Sequence, residues 1–150
     1  MCEATIKSLM HNVKIALEHP DDYEARAELM VDCSLACNGI LSIGNAPSGW
    51  PCHGIEHALS GYYDITHGEG LAIITPKWMK HILNDKTVSR FVSYGVNIFG
   101  IDKNLPSYEI ANLAIEKTYD FFKSIGIPMT LKEVGDRKST RLNSSHLGIS

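Results

Sequence analysis

Residues 50–70 read Trp50-Pro51-Cys52-His53-Gly54-Ile55-Glu56-His57-Ala58-Leu59-Ser60-Gly61-Tyr62-Tyr63-Asp64-Ile65-Thr66-His67-Gly68-Glu69-Gly70. Pro51 suits the first turn of a helix, where its missing N–H has no partner to lose. A helix carries residues i and i+4 to one face about 6 Å apart along its axis, so His53 and His57 can address a single ion or cofactor. After the turn-like Tyr63-Asp64-Ile65-Thr66, His67 opens a second apolar segment. Imidazole is a favoured ligand of zinc and iron, and three histidines beside open coordination positions make a familiar type of catalytic metal site. Gly54, Ser60 and Gly61 share the helix, and each glycine costs about 1 kcal/mol relative to alanine. That cost predicts something bulky near the backbone, a cofactor ring or another helix.

Outward from this stretch, helical periodicity dominates. Ile6, Leu9, Met10, Val13 and Leu17 line one face of a first segment ending near His19-Pro20. Asp21 and Asp22 are placed to cap a second, whose Tyr23, Ala27, Met30, Val31, Leu35 and Ile40 recur at three and four. The stretch from Gly44 to Gly49 is a loop by composition. A helix is expected from about Glu69 toward Leu83, kinked or divided by Pro76, another from Asp85 through Phe99, and another from Ser107 through Ser124, ended by Gly126 and Pro128. No alternating β-branched run stands between turn signals. The fold class is all-α, a bundle of about six or seven helices.

A length of 150 residues suits one domain. With 44% hydrophobic and 21% charged residues the composition is that of an ordinary globular protein. No run approaches a membrane span, and no signal peptide opens the chain, which reads as cytoplasmic. A formal net charge of −3 with scattered basic residues gives no reason to expect nucleic acid or membrane as a partner. The last fourteen residues, 137–150, hold three basic residues, no acidic one and little periodicity. They read as a non-native or disordered tail, which leaves 1–136 as a helical metal-binding domain.

Cys2, Cys33, Cys37 and Cys52 lack zinc-finger spacing and are expected as buried free thiols. A structural zinc site of Cys33, Cys37, Cys52 and His53 is the lesser alternative. His11, His19 and His81 have no partner at ligand spacing and are expected on the surface, and Trp50 and Trp78 are expected as packing anchors.

From Trp50 to Gly70 the chain resembles the signature of the iron-containing alcohol dehydrogenase family, in its butanol-dehydrogenase-like branch. The resemblance extends through Leu71-Ala72-Ile73-Ile74-Thr75-Pro76-Lys77-Trp78-Met79 and Tyr94-Gly95-Val96-Asn97, and upstream through Asp22-Tyr23-Glu24-Ala25-Arg26-Ala27. It implies the helical C-terminal domain of the dehydroquinate synthase-like fold, normally packed against an N-terminal nucleotide-binding half. It implies His53 and His67 as ligands of Fe(2+), with Zn(2+) as the alternative. His57 would sit near the nicotinamide and substrate, passing a proton between the substrate oxygen and solvent as a group titrating near neutrality can. The activity implied is interconversion of a small alcohol and its aldehyde by hydride transfer with NAD(P)H, in an enzyme that is a homo-oligomer at full length.

Family members hold the metal with one aspartate and three histidines, the first two ligands forming an Asp-x3-His pair. No aspartate of this chain has histidine four residues later: Asp32 is followed by Ala36, Asp64 by Gly68, Asp85 by Ser89 and Asp120 by Ser124. The Gly-rich nucleotide-binding turn is missing too. The resemblance therefore implies a fragment cut at both ends and inactive alone.

Other readings share the same residues. His53-Gly54-Ile55-Glu56-His57 spells the H-x-x-E-H of inverted zinc metallopeptidases, in which both histidines bind zinc and Glu56 is the general base. Outside that motif Glu56 is expected as a solvent-facing or helix-pairing carboxylate. His67 through Ile73 is similar to a segment of dehydroquinate synthase, a lyase. A non-catalytic helical fragment that binds a partner is the remaining alternative.

Overall fold

The computed structural model describes residues 1–44 and 49–135. Within them are α1 (Cys2–Glu18), α2 (Tyr23–Cys37), a 3-10 turn (Ile40–Ser42), α3 (Pro51–Tyr63), α4 (His67–Ile82), α5 (Val88–Phe99) and α6 (Ser107–Ser124). Helical backbone returns at 131–135, and no strand occurs among the described residues. The tail at 137–150 and most of the expected loop after Gly44 lie outside them.

The chain forms two compact units, one from residues 1–49 and 83–114, the other from 50–82 and 115 onward. In the first unit α1 packs against α2 and α5. Asp22 caps α2 as expected, its side chain accepting the Ala25 N–H at 2.9 Å. Instead of reaching Ile40, α2 stops at Cys37, because Gly39 takes a left-handed φ of 84° and the Asn38 side chain accepts the Ile40 N–H at 2.9 Å. The helix expected from Asp85 begins at Val88. Asn84 and Thr87 close a turn before it, the Asn84 N–H donating to Thr87 Oγ1 at 2.9 Å. Ile101, Ile110 and Ala114 form this unit's core, with Val92, Val96 and Leu113 packed on it. A Cβ on Gly95 would stand 2.9 Å from Ile110 Cγ2, so glycine allows α5 to approach α6 closely there.

In the second unit α3 packs against α4. Pro51 opens α3 as expected, and Asp64 ends it in a left-handed conformation, φ 50°. Ile65, beyond that turn, is buried with Ile73 and Val134, and Leu59 and Leu131 pack against them. Burial of Ile65 on this cluster fixes the short connection between the two helices. α4 starts at His67, two residues earlier than the periodicity places it, since the Gly70 N–H already donates to the Thr66 carbonyl at 3.0 Å. Pro76 is buried within α4 and does not divide it. Its ring removes one backbone donor, while Thr75 Oγ1 donates to the Leu71 carbonyl at 2.7 Å on the same stretch of helix.

Candidate metal centre

His53 and His57 lie one turn apart on α3, and His67 is the first residue of α4. Their rings gather: the centroids of His53 and His67 are 5.2 Å apart, those of His57 and His67 5.5 Å, and those of His53 and His57 6.4 Å. The short connection held by Ile65 brings the third histidine to the other two. Trp50 rests edge-on against His53 at 4.6 Å and is 61% exposed, so it flanks the histidines instead of anchoring a core.

Of the two placements expected for Glu56, solvent-facing or helix-pairing, the second is found: it pairs α3 with His67 of α4. The glutamate is 0% exposed, neither solvent-facing nor available to activate a water. Ser60 Oγ donates to one carboxylate oxygen, and His67 Nδ1 pairs with the other. Burial, the largest single influence, pushes the Glu56 carboxyl up. The hydrogen bonds from Ser60 and His67, with the positive potential of His67 and His57, outweigh it together and hold the group below the usual carboxylate range. The signal available in the sequence was the Glu56–Ser60 spacing of four, which stacks a hydroxyl on a carboxylate one helical turn away.

Gly70 completes this pocket. A Cβ there would stand 2.6 Å from Glu56 Cγ and 2.8 Å from Oε1. Gly54 and Gly61, expected to make room for something bulky, would carry a Cβ with nothing within 4 Å. The tight approach falls on α4 instead.

Ligand atoms of Glu56, His57 and His67 lie within 4.8 Å of one another, the one such group among the described residues. His53 stands beside it through its ring contact with His67. No cysteine joins. Cys2, Cys33 and Cys37 are exposed and Cys52 is half-buried, contrary to the expectation of buried thiols. His11, His19 and His81 are exposed, as expected.

Histidines gathered from two successive helices, one imidazole backed by a buried carboxylate, are side chains that could hold a metal ion. Residues 1–144 match the C-terminal region of the Fe-containing alcohol dehydrogenase family, and the chain belongs to that family. It is 57% identical over 135 residues to the NADH-dependent butanol dehydrogenase A of Clostridium acetobutylicum, covering 90% of this chain and 34% of that protein. Over 134 residues it is 28% identical to the NADPH-dependent aldehyde reductase YqhD of Escherichia coli, again 34% of that protein. The crystal structure of NADH-dependent butanol dehydrogenase A from Thermotoga maritima superposes with a TM-score of 0.84 at 40% identity, over 89% of this chain and 33% of that one. The chain thus spans about a third of the length of the relatives it matches. Membership agrees with the family resemblance read from residues 50–79. Among the described residues no helix is long and apolar enough to cross a membrane.

Proposed function

We propose that this chain is the helical, metal-binding part of an oxidoreductase that interconverts a small alcohol and its aldehyde with NAD(P)H. His53 and His67 hold a divalent metal, iron or zinc, and His57 serves the substrate side. The observation that supports this most is the gathering of the three rings within 5.2–6.4 Å in a chain of this family. The donors suit such a metal. Imidazole nitrogens are its preferred protein ligands, and pairing of His67 Nδ1 with Glu56 leaves the opposite ring nitrogen free to coordinate.

When bound, the metal supplies Lewis-acid polarisation of the substrate oxygen, and the nicotinamide gives or takes the hydride. His57, exposed and beside His67, is the group that moves a proton between that oxygen and water. Glu56 takes no part in proton transfer to substrate, since it is enclosed and both its oxygens are engaged. The chain has no Asp-x3-His pair. Two imidazoles hold a metal weakly, and the chain alone is expected to show no turnover.

Two experiments test this. Adding Fe(II) or Zn(II), NADPH and butanal to the purified chain and following absorbance gives no turnover; ordinary enzyme rates would contradict the fragment reading. In the same preparation, Zn(II) titration of His53→Ala, His57→Ala and His67→Ala variants loses binding at His53 and His67. Loss at His57 with binding intact in the His53 variant would move the ligand set to His57 and His67.

A further inference from the structure

We propose that Glu56 is a positioning residue for the metal ligand His67: its carboxylate holds the imidazole in the Nδ1–H form and in one orientation, leaving Nε2 for the metal. The inference rests on the reading of His67 as a ligand given above.

Three observations carry it. First, a carboxylate with no exposed surface is expensive to bury, and Glu56 is 0% exposed. A buried ion pair adds little stability over an apolar side chain of similar size, so stability alone does not explain the residue. Secondly, its partners are asymmetric. Ser60 occupies one oxygen from within α3, and the other oxygen meets His67, whose side chain is 51% exposed. The carboxylate therefore grips one nitrogen of a ring that is itself half exposed. An ionised carboxylate only accepts, so the nitrogen facing it must carry the proton. Thirdly, the space is made on purpose by the opposite helix: Gly70, one turn after His67, is where any Cβ would collide with Glu56 Cγ at 2.6 Å. Glu56, Ser60 and Gly70 together form a seat with one function, fixing the ring of His67. Imidazole ligands are commonly held in this way by a carboxylate on their second nitrogen. The arrangement also explains why Glu56 falls within ligand distance of His57 and His67 without being free to coordinate.

The test is a long-range 1H–15N correlation spectrum of the 15N-labelled chain, first without metal. The expected result is His67 protonated at Nδ1, with Nε2 showing the shift of an unprotonated nitrogen. In Glu56→Gln the carboxamide oxygen still accepts from Nδ1 and the tautomer is kept; in Glu56→Leu the preference is lost. A wild-type His67 protonated at Nε2, or an unchanged tautomer in Glu56→Leu, overturns the proposal whatever the metal does. Should Glu56→Leu not fold, Gly70→Ala, which displaces the carboxylate from the other side, replaces it in the same spectrum and must likewise lose the preference. Zn(II) is then added. The expected response is at Nε2 of His67 and at His53, with roughly 10–100-fold more Zn(II) required once the carboxylate is lost. A response at Nδ1 of His67 overturns the proposal. The expected tautomer with no Zn(II) response at either ring overturns the metal reading and, with it, the positioning role, leaving only the Glu56–His67 contact.

Discussion

Replacing Gly70 by alanine destabilises this chain, although the same change at Gly54 does the opposite. Three contributions set the magnitude. Alanine is favoured over glycine in a helix by about 1 kcal/mol. Against that, the new methyl would lie 2.6 Å from Glu56 Cγ and 2.8 Å from Oε1, and overpacking a closed site costs about 1–3 kcal/mol. The methyl can be accommodated only by moving Glu56, which is enclosed and bonded to Ser60 and His67; weakening one charged hydrogen bond costs about 1.5–3 kcal/mol. The net loss is about 2–4 kcal/mol, or roughly 4–16 °C in Tm for a chain of this size. Gly54→Ala is the control. It sits inside α3 with nothing within 4 Å of the added atom and is expected to gain about 0.5–1 kcal/mol. Urea unfolding followed by circular dichroism at 222 nm reads both. A double-mutant cycle sharpens the result: in a Glu56→Ala background the atoms met by the methyl are gone, so Gly70→Ala becomes stabilising by about 1 kcal/mol and the coupling is about 3–5 kcal/mol. Equal stability of Gly70→Ala and wild type, or a coupling near zero, would refute the reasoning that Gly70 exists to seat Glu56.

Other consequences are simpler to read. Asp22→Ala removes the acceptor for the Ala25 N–H and lowers stability by about 1 kcal/mol, seen as a shift in urea midpoint without change in slope. Tyr108 donates to Asp85 Oδ1 at 2.6 Å, and this bond, aided by some desolvation and the aspartate charge, raises its pKa. Its ring should ionise above the ordinary tyrosine value of about 10, and Asp85→Asn should bring it back, as measured by NMR titration of the ring resonances. Glu56 is held below the usual carboxylate range, so the unfolded chain takes up its proton first as pH falls. Its contribution to stability is complete above the ordinary glutamate value of about 4.3 and is lost as pH drops through the lowered folded value. Urea midpoints measured through this interval should fall less steeply in Glu56→Gln than in wild type, and identical slopes would count against the assigned direction.

Much of the fold was legible because the strongest signals were local. The Asp22 cap, Pro51 at the start of α3, and Gly126 with Pro128 after α6 all act within a turn of where they stand. Errors arose where polar side chains competed with the helix over a few residues. Asn38 and Gly39 end α2 before Ile40, and Asn84 with Thr87 delays α5 to Val88. At α2 apolar periodicity continued across a boundary set by hydrogen bonding, which periodicity does not measure; at α5 Asp85 was taken as the helix start, although the Asn84–Thr87 turn comes first. Of the two effects expected of Pro76, a kink or a division, division does not occur. Its position inside α4 lies on the buried face with Ala72 and Ile73, and packing there holds the helix together despite one missing donor.

The gathering of the histidines was legible in the sequence, whereas the placement of the carboxylate was left open between two alternatives. H-x3-H spacing and a third histidine beyond a turn are chain-local facts, and the rings do gather. Whether Glu56 faces water or the neighbouring helix depends on what stands opposite, and that is Gly70, fourteen residues away on another helix. The string His53-Gly54-Ile55-Glu56-His57 fits a peptidase whose glutamate activates water, or a seat that orients a ligand, and its five residues contain nothing to separate them. Two residues outside it do. Ser60 supplies a hydroxyl to a carboxylate one turn back, and Gly70 leaves the volume into which that carboxylate turns. A larger residue at position 70 would leave Glu56 no room beside α4, and then the same pentapeptide would present a different chemistry. The placement of the glutamate is thus written in the pair of small residues around it more than in the motif that contains it.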